Sequence, residues 1–245
     1  MIGPAEFAAA AQARCDAWDD MHRAYFPDYD ERWRLAVDVM RRWTADRLAP
    51  RVLDLGCGPG TLTRRLAQAL PSAQIVGVDR DPLLIDLARA LARGERLSYR
   101  RLAVGGEAAT AVLRSLAPFD AIVSSAFVHY FDREGLMRLQ LLCREILAPG
   151  GLLVTVEQFA GDGQTRAKDG GGAWGRWWSE TRVHPSLGQR VEPDANVFGA
   201  APPPLTQEVY AEVLAEAGFA EARWMRASGG SAVVAARRDA AEAPL

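Results

Sequence analysis

The stretch from Arg51 to Asp79, RVLDLGCGPGTLTRRLAQALPSAQIVGVD, sets glycines at alternate positions after a short apolar run and ends the next apolar run in a carboxylate. Gly56, Gly58 and Gly60 tolerate positive φ and leave main chain bare where a ligand must approach, while a helix beginning near Thr61 would aim its free N–H groups at the same place. Asp79 at a strand end suits two hydrogen bonds from a ribose diol, so the unit reads as a nucleoside-binding βαβ turn. Asp54, inside an otherwise apolar strand, is costly there unless it meets a donor; it either ties the loop's backbone N–H groups or also reaches a ligand ammonium through water. Two further groups fall where strands end. His129, in SSAFVHYF, has the titration range of a general base, and Glu157 closes the run LLVTVE.

The elements that must hold these residues alternate short β-branched runs with amphipathic stretches, the pattern of a mostly parallel sheet covered on both faces. Strands are expected over Val52 to Leu55, Gln74 to Val78, Leu97 to Leu102, Phe119 to Ser124 and Leu152 to Glu157, with helices over Thr61 to Leu70, Pro82 to Ala92, Ala108 to Leu116 and Arg133 to Leu147. Upstream, DERWRLAVDVMRRW puts Trp33, Val37 and Met40 on one helix face, with Asp30 as its candidate cap. Downstream, Thr206 should cap a helix that Gly218 closes, and two strands around Gly229-Gly230 should form a hairpin whose last strand inserts antiparallel beside the fifth. The expected fold class is therefore α/β: a Rossmann-like, seven-stranded, mostly parallel sheet with a C-terminal antiparallel hairpin. A single domain is expected, divided into an N-terminal helical lid (1–48), a cofactor-binding core (49–158), a cap insertion (159–204) and a closing helix with hairpin (205–245).

Composition narrows the partners. Lys and Arg total 29 against 31 Asp and Glu, a formal net charge of -2, so no overall positive field would hold nucleic acid. The arginines are scattered among acids on helical stretches, which reads as a solvated surface. Cys15, Cys57 and Cys143 show no CxxC spacing, which argues against a disulfide framework and a structural zinc site and fits a reducing cytoplasm. Three histidines without clustered carboxylates give no metal-ligand set. No run of about 18 apolar residues and no secretory leader pattern is visible, so neither membrane insertion nor export is expected. Nothing separates a monomer from a homodimer.

Taken together, VLDLGCGPG with VDRDP downstream, FDAIVSSAFVHYF at the fourth strand and LAPGGLLVTVE at the fifth resemble the successive motifs of class I S-adenosylmethionine-dependent methyltransferases, especially bacterial small-molecule enzymes related to the ubiquinone-biosynthesis type. The resemblance is strong over Arg51 to Glu157 and weaker outside it. It implies S-adenosylmethionine as cofactor, with Gly56, Cys57 and Gly58 lining its methionine part and Asp79 holding its ribose. Arg80 would flank the adenine or else be a solvated strand-end arginine. Ser124 and Ser125 would face the sulfonium end. Where relatives often place an acid after the third strand, this chain has LAVGGE, so adenine recognition would fall to backbone near Val104 and Gly105.

In MHRAYFPDYDERW, a segment that often lids the cofactor in the family, Tyr29 is the expected partner of the cofactor carboxylate. His129 would take a proton from the acceptor or pack the cofactor loop; Glu157 would enter the substrate cleft or pair with an arginine. His184 and the cluster Trp174, Trp177 and Trp178 would wall a flat or cationic substrate or, the favoured reading, anchor a helix on the core. The resemblance implies methyl transfer to a small molecule of specialised metabolism. Two rivals remain: attack at another carbon of the same sulfonium, releasing methylthioadenosine, and a cofactor-binding partner subunit without catalysis.

Overall fold

A computed structural model describes residues 3–160, 170–192, 204–226 and 231–239. Seven strands form one sheet: β1 (Arg51–Leu55), β2 (Gln74–Asp79), β3 (Leu97–Arg101), β4 (Phe119–Ser125), β5 (Leu147–Gln158), β6 (Phe219–Arg226) and β7 (Ser231–Arg238). Their order is β3-β2-β1-β4-β5-β7-β6. The first five are parallel, and β7 slots antiparallel between β5 and β6. The expected insertion of the last strand beside the fifth is thus what the sheet shows; the Gly229-Gly230 connection itself lies outside the described residues.

The parallel strands are near-continuous apolar runs because both faces are covered. On one face α5 (Glu107–Leu116), α6 (Arg133–Ile146) and α8 (Gln207–Glu216) bury Leu113, Leu139, Ile146, Tyr210 and Leu214 against Leu53, Ile122 and Leu153. On the other, α2 (Tyr29–Thr44), α3 (Thr61–Ala69) and α4 (Pro82–Ala90) bury Trp33, Met40, Leu66 and Ile85 against Val52, Ile75 and Val154. A third cluster joins α1 (Pro4–Tyr25) to α4 and α7 (Gly170–Val183) through Cys15, Trp18, Leu83, Leu87, Trp177 and Trp178.

Local chemistry fixes several of these boundaries. Asp81 accepts from the Leu84 N–H at 3.0 Å with Pro82 at the first helical position. Asp132 accepts from Gly135 at 2.7 Å, and Thr206 caps α8 as expected, accepting from Val209 at 3.3 Å. α2 differs from expectation. Its N-cap position is Asp28, not Asp30, and no side chain caps it. Asp30 lies in the first turn and pairs with Arg23 and Arg65, while Asp28 is drawn away to the first residue of β7, accepting from the Ser231 N–H and Oγ, both at 2.9 Å. Among the described residues no helix is long and apolar enough to cross a membrane.

Candidate active site

The carboxyl ends of β1, β2, β4 and β5 open into one cavity of about 1150 Å³, closed on its far side by α1, α2 and α7. This is where an open α/β sheet binds ligands. Its floor at β1 is the glycine turn. Gly56 and Gly58 adopt φ of +68° and +53°, and a Cβ on Gly56 would stand 2.3 Å from the Phe127 ring. Only glycine fits both the backbone and the space there. Main chain is consequently bare along Gly56 to Gly58, with the Trp18 indole of α1 facing Gly58 from above.

Asp79 binds this turn to the start of α4. One carboxylate oxygen accepts the Gly58 N–H and the other the Asp81 N–H, each at 2.9 Å, and the side chain faces the cavity rather than bulk water. Burial raises its carboxyl against the pull of those two N–H groups. Asp54, fully enclosed but on the cavity wall, accepts from the Thr63 hydroxyl at 2.6 Å. Burial pushes its carboxyl up to about 7, the Thr63 bond opposing and the Asp79 charge adding. Cys57 lines the same wall, and burial drives its thiol well above the ordinary value. Arg80 and Val104 stand on the cavity's rim beside Asp79.

At the other end, His129 follows β4 on a 3-10 turn and Glu157 is the last residue but one of β5. The two expected catalytic candidates meet: His129 Nδ1 and Glu157 Oε2 are 3.0 Å apart. Burial would raise the Glu157 carboxyl, but His129, the Gln158 N–H at 2.9 Å and the Arg32 charge together outweigh it and hold it below its ordinary value. Nδ1–H is then the donor to an anionic Glu157, which leaves Nε2 as the basic nitrogen. Ser125 lines the cavity and its Oγ accepts the Trp33 indole N–H at 3.1 Å.

Two expected positions do not reach the wall. Ser124 is buried within β4, because adjacent strand residues point to opposite faces and Ser125 takes the cavity side. Tyr29 is the first residue of α2, buried under Trp33, and its hydroxyl donates to Asp19 at 2.9 Å. Helix α1, part of the expected N-terminal lid, supplies that acceptor, so the phenol is committed away from the ligand space. Its neighbours His22, Tyr25 and Phe26 line the cavity instead. The His22 Nδ1–H donates to the Trp18 carbonyl at 2.8 Å, and burial lowers the ring's pKa to about 4, which keeps it neutral.

In the insertion, Trp177 and Trp178 are buried against α1 and α4, as the core reading has it, yet Trp174 and Trp178 also face the cavity. His184 lies beyond α7 and accepts from the Ser186 N–H at 3.2 Å, away from the wall. Residues 161–169 and 193–203 of the expected cap lie outside the described residues.

Sequence reading passed over Arg32. It is fully buried on α2, lines the cavity, and packs its guanidinium 3.8 Å from the Phe26 ring centroid. The signal was available: Tyr29, Arg32, Trp33, Ala36 and Met40 share the inward face of α2 at helical spacing.

This glycine turn, carboxylate and sheet order are those of an S-adenosylmethionine-dependent methyltransferase, and comparison with known proteins agrees. The sequence profile described as "Methyltransferase domain" matches residues 52–151. A trans-aconitate 2-methyltransferase of Methylobacterium radiotolerans is 32% identical over 209 residues, covering 82% of this chain and 75% of that protein. A demethylmenaquinone methyltransferase of Thermus thermophilus is 34% identical over 142 residues, 57% of this chain and 60% of its own. Among solved structures, an O-methyltransferase family protein from Burkholderia thailandensis superposes over 97% of this chain and 63% of its own, with a TM-score of 0.61 at 20% identity, which bears on the fold alone. The chain belongs to the class I S-adenosylmethionine-dependent methyltransferase family.

Proposed function

We propose that the protein transfers a methyl group from S-adenosylmethionine to a nucleophilic atom of a small molecule, with His129 receiving the acceptor's proton. The observation that carries this reading is that the His129–Glu157 pair shares one cavity with the bare glycine turn and Asp79. The residues suit the cofactor. Cavity-lining main chain at Gly56 to Gly58, between the Phe127 and Trp18 rings, would take its amino-acid end, the remaining lone pairs of Asp79 its ribose hydroxyls, and Val104 and Arg80 the adenine edge.

S-Adenosylmethionine supplies an electrophilic methyl on a positive sulfur. The work left to the chain is alignment, exclusion of water and removal of a proton. Trp18, Trp174 and Trp178 close the cavity over the glycine turn. Trp33 fixes the Ser125 hydroxyl at the end of β4. Glu157 accepts from Nδ1, orients the His129 ring and stabilises the imidazolium formed when Nε2 takes the acceptor's proton.

The test is incubation of purified protein with isotope-labelled S-adenosylmethionine and a metabolite extract, after calorimetry with the cofactor alone. Label in an extract component together with S-adenosylhomocysteine is the expected outcome. No cofactor binding, or accumulation of methylthioadenosine in place of S-adenosylhomocysteine, overturns it.

A further inference from the structure

Resting on the methyltransferase reading, the geometry points to a carboxylate on the acceptor, held by Arg32. All three guanidinium nitrogens are buried without a hydrogen-bond partner among the described residues. A buried charge whose donors are unmet is costly, and stacking on Phe26 supplies attraction but no acceptor. On the same cavity wall the Gln158 side-chain oxygen is likewise buried and unmet among the described residues. The guanidinium is a planar fork with five N–H groups, the shape that takes a carboxylate through two parallel bonds.

The place of Arg32 separates the acceptor from the cofactor as source of that carboxylate. Helix α2 packs on β5 and β7. The largest charges acting on Arg32 are Glu157, near the end of β5, and Asp28, which is bonded to Ser231 opposite Gln158; Tyr29 follows, and Arg32 in turn acts on His22 of α1. The glycine turn and Asp79 belong to β1 and β2, and β4 lies between β1 and β5. At the usual strand spacing, β5 is roughly 10 Å from β1. Arg32 therefore stands on the His129 side of the cavity, where it would fix the acceptor by one end and bring its nucleophile to Nε2. Glu157 and Asp28 act on Arg32 by charge but make no hydrogen bond to it; their oxygens accept from His129, the Gln158 N–H and Ser231.

The experiment measures melting temperature and calorimetric binding on protein saturated with S-adenosylhomocysteine, using benzoate, cinnamate and trans-aconitate, each paired with its amide. At least one carboxylate should stabilise the wild type where its amide does not, and Arg32→Gln should weaken that carboxylate by about tenfold or more while S-adenosylhomocysteine affinity is unchanged. Arg32→Lys, which keeps the charge without the fork, should fall between and gives the answer if the glutamine variant does not fold. No carboxylate effect in the wild type, or one retained in both variants, overturns the inference and leaves cofactor binding untouched. If the variants lose S-adenosylhomocysteine but keep methylthioadenosine, which has no carboxylate, Arg32 serves the cofactor and the inference is wrong. Failure of the wild type to bind S-adenosylhomocysteine sinks the underlying reading and this inference with it.

Discussion

Asp54 should make cofactor binding sensitive to pH near neutrality. Its carboxyl is held at about 7 by burial, with the Asp79 charge adding to the effect and the Thr63 hydroxyl opposing it. The cofactor carries a permanently positive sulfur, so the ionised form of Asp54 is the one that favours it. With a titration point near 7, the ionised fraction rises about tenfold between pH 6 and pH 8, and S-adenosylmethionine affinity should rise by about the same factor. Calorimetry at both pH values, in buffers of different ionisation heat, should show proton release that vanishes in Asp54→Asn. The free protein supplies a second readout of opposite sense. Because the folded pKa is raised, the folded state holds a proton that the unfolded chain gives up above about 4. The stability associated with that proton is complete below this pH and is lost as pH rises through about 7, a change of at most ~4 kcal/mol for this group. Affinity that is flat from pH 6 to 8, or that keeps the same slope in Asp54→Asn, would refute the reasoning.

The other expectations concern the dyad, the turn and the thiols. His129→Gln should lower kcat by roughly 10²-fold or more with cofactor affinity unchanged, and Glu157→Gln by a smaller factor, since it orients the ring without taking the proton; wild-type turnover in the His129 variant would remove the base from the mechanism. Gly56→Ala forces a side chain onto a φ of +68° and into Phe127, at a cost of about 1–3 kcal/mol, and should lower the melting temperature by several degrees and abolish cofactor binding. Cys15 and Cys143 are buried, with thiols raised by desolvation to about 11 and about 12, and burial also raises the Cys57 thiol well above its ordinary value. A thiol reagent at pH 8 should label none of them until the chain is unfolded, and prompt labelling of the native protein would show that the cavity wall opens.

How much of this was legible in the sequence depends on how local each determinant is. The sheet was readable because β-branched runs, the glycine turn and the Thr206 cap act within a few residues of themselves. The start of β5 was not. Leu147 already pairs with Phe119, but Pro149, Gly150 and Gly151 read as a turn before Leu152. Helix α1 was legible only as part of a helical lid over 1–48; its alanine-rich face contrasts weakly with the rest, so its bounds and the Asp19 that captures Tyr29 were not readable. Asp28 departs from its cap for a residue 203 positions away, a contact that no local rule contains. His129 and Glu157 were each visible as strand-end residues. Their pairing is a property of the sheet: β4 and β5 are neighbours in a register that sets Ser125 beside Val156, so the residues that follow meet at the carboxyl end.

The cavity's charges are arranged by the same topology. Its β1 and β2 end carries Asp54 and Asp79, two carboxylates raised chiefly by burial, the first bonded to Thr63 of α3 and the second to the Gly58 and Asp81 N–H groups. Its β5 end carries Arg32, with Glu157 engaged by His129 and the Gln158 N–H. A cationic cofactor is favoured at the first end and an anionic acceptor at the second, with the methyl passing between them. Removing Arg32 should therefore act on the acceptor alone and removing Asp54 on the cofactor alone, and the two losses should add, since sites at opposite ends of the cavity share no partner. Strong coupling between Arg32→Gln and Asp54→Asn in S-adenosylmethionine affinity would mean that both groups address one ligand, and the division of the cavity would have to be abandoned.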